Sequence, residues 1–187
     1  MNPSTTVTKN PSDTQHYDKR TIAWHWITAV LVLGLWVLGQ TIDFFPRGTP
    51  RVSARSLHIC FGVVMGVVLV LRLAWRRSGG VKLPPAPGLA GRAAVGMHYL
   101  LYILLVGMVL FGLATEWVRG DNLFNLFTVP SLTPGNKALA HDMVELHGLG
   151  ANILLVLAGL HAAAAVWHHV GMKDGVLRRM LPSPSQR

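Results

Sequence analysis

The chain has 187 residues, of which 51% are hydrophobic and only 13% charged, and its formal net charge is +9. That balance excludes an ordinary soluble domain. The Lys and Arg residues fall between apolar runs and do not gather on one face, which argues against a nucleic-acid binder and for one small membrane domain.

Residues Met1 to Gln15 are polar, rich in Pro, Ser and Thr, and lack an apolar h-region. They read as part of a flexible tail over 1–16, not as a cleaved signal peptide. A membrane domain is expected over 17–181, with spanning helices near 22–42, 56–75, 92–117 and 143–170, followed by a C-terminal tail over 182–187. The first helix follows Lys19 and Arg20 and carries the interfacial residues Trp24 and Trp26. The Pro/Gly-containing stretch Asp43 to Arg55 reads as a loop bearing Arg47, Arg51 and Arg55. On the second helix Gly62 and Gly66 form a small-xxx-small face suited to close approach by another helix or a flat cofactor. Cys60 is the single cysteine, so an internal disulfide is excluded, and it is expected to be a buried packing residue. No CxxCH occurs, which excludes covalent c-type haem attachment. The third helix lies between a basic Gly/Pro-rich loop and a longer loop containing Pro130 and Pro134.

Glu145 to His169 is apolar and long enough to span a bilayer, yet it holds four histidines. A polar ring in hydrocarbon must find a partner. Steps of seven from His147 reach Leu154, His161 and His168, so three imidazoles share one stripe of the fourth helix. His147 and His161 are separated by about 21 Å along the axis.

Twelve of the Lys and Arg residues fall on the side of the termini and five on the other, which predicts cytoplasmic N- and C-termini. This orientation fixes histidine depth. His25 and His161 share the inner level, and His58 and His147 the outer. Each pair offers two neutral imidazoles from different helices, as the axial positions of a six-coordinate haem b require. Zinc would want more and stronger ligands per site. The small residues Gly148, Gly150 and Ala151 beside His147, and Ala162 to Ala165 beside His161, suit a flat macrocycle. The expected fold class is therefore an all-α integral membrane protein, a four-transmembrane-helix bundle enclosing two haems.

The motifs AWHW at His25, SLHICFG at His58, VRGDNLF near Arg119, and ELHGLGANILLVLAGLHAAAAVWHH followed by KDGVLRRMLP resemble the bacterial di-haem cytochrome b561 family, and within it the membrane-bound superoxide oxidase type. The resemblance runs from about Tyr17 to Leu181; the polar tail before Tyr17 departs from it. It implies two non-covalent haems b, with His25 and His161 on the inner iron and His58 and His147 on the outer, and electron exchange with ubiquinone in the bacterial inner membrane. The function it implies is oxidation of superoxide at the outer, periplasmic face with delivery of electrons to ubiquinone. The alternative is a cytochrome subunit shuttling electrons between the quinone pool and a redox protein partner. A metal-ion transporter would need carboxylates along a path, and the helices offer few.

Other residues have assigned expectations. Arg47, Arg51 and Arg55 are candidates for steering an anion such as superoxide to the outer haem, with Lys137 and Arg119 contributing to the field. Their ordinary reading is headgroup anchoring or haem-propionate pairing. His168 is a candidate propionate or quinone contact. Candidate proton donors to quinone are His168 and Asp174 at the inner end, Glu145 and Asp142 at the outer. Once His25 and His161 pair, no second imidazole shares the inner depth of His98, which is expected to bond backbone, water or a propionate. His169, His16 and His141 are not ligand candidates.

Overall fold

A computed structural model describes residues 16–84 and 87–182. The expected N-terminal tail, apart from His16, lies outside the described residues, as does 183–187. Four helices form the chain: α1 Lys19–Thr41, α2 Thr49–Ser78, α3 Gly88–Arg119 and α4 Lys137–Trp167. All four are long and apolar enough to cross a membrane. Helices satisfy their own backbone in hydrocarbon, and apolar side chains such as Val30, Val67, Val70, Ile103 and Leu110 face outward, as lipid-facing positions do. The helices pack in chain order, α1 on α2, α2 on α3, α3 on α4, and α4 closes on α1. The start of α1 and the segment after α4 share one end of the bundle, where the Tyr17 amide donates to the Arg179 carbonyl (3.2 Å) and Trp26 Nε1 to the Met180 carbonyl (2.9 Å).

Local chemistry sets the boundaries. Asp18 caps α1 by accepting from the Thr21 amide (2.9 Å), and the same carboxylate accepts from Trp75 Nε1 at the end of α2 (3.0 Å) and from the Val81 amide (3.0 Å). Partial burial pushes the Asp18 carboxyl upward, but these hydrogen bonds together outweigh it and hold the pKa at about 2, below the ordinary 3.8. Asp18→Ala is expected to cost about 1 kcal/mol, the usual worth of an N-cap. A depressed acid stabilises above its unfolded pKa and loses that contribution as pH falls through the folded one. The gap between wild type and variant in thermal melts should therefore be full at neutral pH, shrink below about pH 4 and close as pH falls past about 2.

Helix α2 begins seven residues earlier than expected. Pro50 lies at N1/N2 of the helix, where its missing N–H and fixed φ suit a helix start. Arg51 and Arg55 accordingly stand on the first two turns of α2 and not in a loop. Helix α3 ends at Gly120, in the left-handed region at φ 66°; a Cβ there would meet Ser131 Cβ at 2.8 Å. A small hairpin, β1 Asn122–Leu123 with β2 Phe127–Thr128, follows. It packs on α2 through the Phe124 amide, which donates to Ser56 Oγ (2.8 Å). Asn136 caps α4 by accepting from the Leu139 amide, so this helix also starts earlier than the expected 143. Beyond α4 a π-helical turn, His168–Met172, and a 3-10 turn, Leu177–Met180, fold back on the start of α1.

The buried core comprises Met65, Leu69, Leu105 and Leu154, with Leu31, Leu35 and Met108 among the residues packed on it. Leu154 lies midway between His147 and His161 on the histidine stripe. Cys60, in contrast to the expectation, is exposed. It is two residues from His58, and successive positions on a helix turn away from each other, so an inward His58 leaves Cys60 facing outward.

Candidate functional site

The imidazoles that share a depth meet across the bundle. His25 of α1 and His161 of α4 have ring centres 6.3 Å apart, and His58 of α2 and His147 of α4 have centres 6.2 Å apart. A ring nitrogen sits about 2 Å from a transition metal, so two rings facing each other through one ion have centres about 6 Å apart. Both pairs fit that spacing. Among the described residues no group of three or more His, Cys, Asp or Glu is placed to hold a metal ion. Two opposed imidazoles are instead what an ion needs when a macrocycle supplies its remaining in-plane ligands.

The pair away from the termini sits in a cradle of glycines. A Cβ on Gly39 of α1 would lie 3.2 Å from His58 Cε1, and one on Gly112 of α3 would lie 3.0 Å from His147 Cε1. The Phe111 ring lies nearly parallel to that of His147, at an angle of 9°. Nδ1 of His147 is buried without a hydrogen-bond partner among the described residues, as is Nδ1 of His58. Gly66 admits close approach of α3, with Val109 at 3.2 Å from a built Cβ, whereas a Cβ on Gly62 or Gly148 would meet nothing within 4 Å.

His98 lies at the level of the His25/His161 pair, its ring centre 5.2 Å from that of His161. The position on α3 could not be paired from sequence because helix rotation is not fixed by hydropathy alone. At 5.2 Å the rings are closer than two ligands of one ion, and His25 is the better-spaced partner of His161.

The outer arginines are not alike. Arg51 donates to the Phe45 and Asp43 carbonyls and pairs with the Asp43 carboxylate at 3.3 Å. Arg55 pairs with Asp121 at 3.1 Å, which also takes Arg119 at 2.9 Å. Arg47 has no ion pair among the described residues. Glu116, buried on α3 at 8% exposure, has Oε1 without a partner among the described residues. Sequence reasoning passed over it, although an acid inside an apolar run is itself a signal. Also missed was the link between α1 and α4 in which Asn152 Oδ1 accepts from Trp36 Nε1 (2.8 Å) and Gln40 Nε2 (3.3 Å).

At the terminal end His168 Nδ1 and Asp174 Oδ2 are hydrogen-bonded, bringing together two candidate proton donors. The His168 bond is the main cause holding the Asp174 carboxyl below its ordinary range. Glu145 and Asp142 are both exposed at the start of α4.

The chain is similar to known proteins over nearly its whole length. The model of the family described as prokaryotic cytochrome b561 matches residues 16–183. A protein named probable superoxide oxidase CybB from Yersinia pestis is 30% identical over 166 residues, covering 86% of this chain and 93% of that protein. Cytochrome b561 homolog 1 of Escherichia coli (strain K12) is 31% identical over 170 residues, covering 89% and 97%. Cytochrome b562 of Cereibacter sphaeroides is 27% identical, covering 88% and 94%.

Proposed function

The chain belongs to the prokaryotic cytochrome b561 family, a group of haem b electron-transfer proteins of the membrane, and from that premise we propose that it is a di-haem superoxide oxidase of the bacterial inner membrane. His25 and His161 would hold one haem b, His58 and His147 the other. Bound in this way, the two haems supply one-electron acceptors in series. Superoxide reaches the periplasmic end and loses one electron, leaving as dioxygen. Two such electrons and two protons convert one ubiquinone to ubiquinol. Both termini lie in the cytoplasm on the count of basic residues.

The chain's own part is to orient, to exclude water and to focus charge. Four imidazoles would hold the two haems, and the core of Met65, Leu69, Leu105 and Leu154 keeps the space between them dry. Arg47, Arg51 and Arg55 raise the local concentration of a small anion. His168 and Asp174 are joined at the cytoplasmic end, where a proton can be passed to a reduced quinone. The observation carrying the proposal is the two imidazole pairs with centres 6.2 and 6.3 Å apart, one toward each end of the bundle.

The test is the optical spectrum and haem-to-protein ratio of detergent-purified protein, followed by stopped-flow mixing with superoxide in the presence of ubiquinone. Two b-type haems per chain, reduced rapidly and reoxidised by quinone, are expected. Two haems indifferent to superoxide would move the function to electron shuttling between the quinone pool and a redox protein. The cradle gives a second check. In Gly112→Ala the new methyl, 3.0 Å from His147 Cε1, forces a shift of a few tenths of an ångström. The reduced-minus-oxidised spectrum should change in one haem component and keep the other.

A further inference from the structure

Charge is distributed unequally around the two imidazole pairs. Toward the end away from the termini, Arg55 and Arg119 converge on Asp121, and Glu116 is buried on the neighbouring turn of α3. Arg55 and Arg119 are there met by a carboxylate. Near the other pair, Arg72 of α2 brings Nη2 to 3.4 Å from Nδ1 of His25 and lays its guanidinium over the Tyr102 ring at 5.0 Å. Among the described residues no carboxylate pairs with Arg72, and Arg76, one turn further along α2, has the same sign.

The chemistry of the two facing groups sharpens the point. Arginine can only donate. A neutral imidazole bound to iron through Nε2 carries its proton on Nδ1, which makes it a donor as well. Donor therefore faces donor, with a full positive charge behind the axial ligand. A metal-bound histidine is ordinarily made more electron-rich by an acceptor at this position; here the neighbour does the opposite.

We propose that Arg72 sets the potential of the haem held by His25 and His161, making it the higher-potential one, so that electrons run from the His58/His147 site to the His25/His161 site. A nearby cation favours the reduced state, which carries one positive charge fewer than the oxidised state. A carboxylate arriving with the cofactor between the two donors would weaken this field, yet replacing Arg72 with a neutral side chain would still lower the potential. The inference rests on the two-haem reading above. Arg72 acts through His25 and is a positioning residue.

The experiment is potentiometric titration of the haem-loaded protein as wild type, Arg72→Gln and Arg72→Lys, with the terminal-end component identified as the one lost in His25→Ala. In wild type that component should have the higher midpoint. Arg72→Gln should shift the electron equilibrium between the haems at least tenfold away from it, about 59 mV for one electron, while the other midpoint moves less. Arg72→Lys should keep the wild-type order. A wild-type terminal-end component that is the lower of the two, or a midpoint unmoved by Arg72→Gln, overturns the proposal. Should Arg72→Gln lose that haem, the wild-type order and the lysine variant decide. Retention of both haems in His25→Ala removes the ligand assignment and the proposal with it, whereas loss of one haem with an unmoved Arg72→Gln midpoint removes the proposal alone.

Discussion

Replacing His147 by alanine is expected to reduce the haem content of the purified protein from two per chain to one, and His58→Ala should do the same. Each replacement leaves a single imidazole where two faced each other at 6.2 Å, and a six-coordinate iron cannot be held by one side. The remaining spectral component should be the same in both variants, because both remove the same site. The core of Met65, Leu69, Leu105 and Leu154 separates that site from the His25/His161 pair, so the second haem should be retained. Pyridine haemochrome analysis against protein concentration, with a low-temperature reduced spectrum, reads the result. Two haems in either variant would refute the pairing.

The second large effect concerns the approach of superoxide. Converting Arg47, Arg51 and Arg55 together to glutamine should lower the second-order rate about tenfold at low ionic strength, since steering by a charged entrance is worth at least that. The rate should also lose most of its dependence on salt. Arg51 and Arg55 have structural duties at Asp43 and Asp121, so Arg47→Gln alone is the cleaner variant, with a smaller effect of the same sign. Asp43→Asn should do the reverse and raise the rate a few-fold, because Asp43, whose side chain is 83% exposed, partly neutralises Arg51. A rate unchanged by all of these variants would leave the arginines as structural clamps.

Much of this site is legible in the sequence because hydrophobic periodicity and histidine spacing are both one-dimensional signals. The step of seven from His147 through Leu154 to His161 places two histidines and the core residue between them on one stripe. The family resemblance carried by the ELHGLGANILLVLAGLHAAAAVWHH motif agrees with the match of the whole domain. What sequence hides is rotation of one helix against another. His98 is brought to His161, and Arg72 to His25, by the angles at which α2 and α3 face the interior. Pro50 was misleading for a different reason: the same residue that breaks a helix inside also starts one, and Arg51 and Arg55 moved from loop to helix accordingly. Cys60 shows the limit of composition, since cysteine is a commonly buried residue in water-soluble proteins and lipid removes that preference.

The apolar core between the two histidine pairs has an electrical consequence. Met65, Leu69, Leu105 and Leu154 offer no group that could relay a proton, so an electron passing from one pair to the other crosses uncompensated. The axial separation of about 21 Å is about two-thirds of the hydrocarbon thickness. Moving one elementary charge over that fraction against 100 mV costs about 1.5 kcal/mol. In the proposed direction the electron moves toward the negative side, so turnover would be electrogenic: it would help charge the membrane and would slow as the membrane became charged. The same protein in proteoliposomes should speed up when the potential is collapsed with valinomycin and potassium.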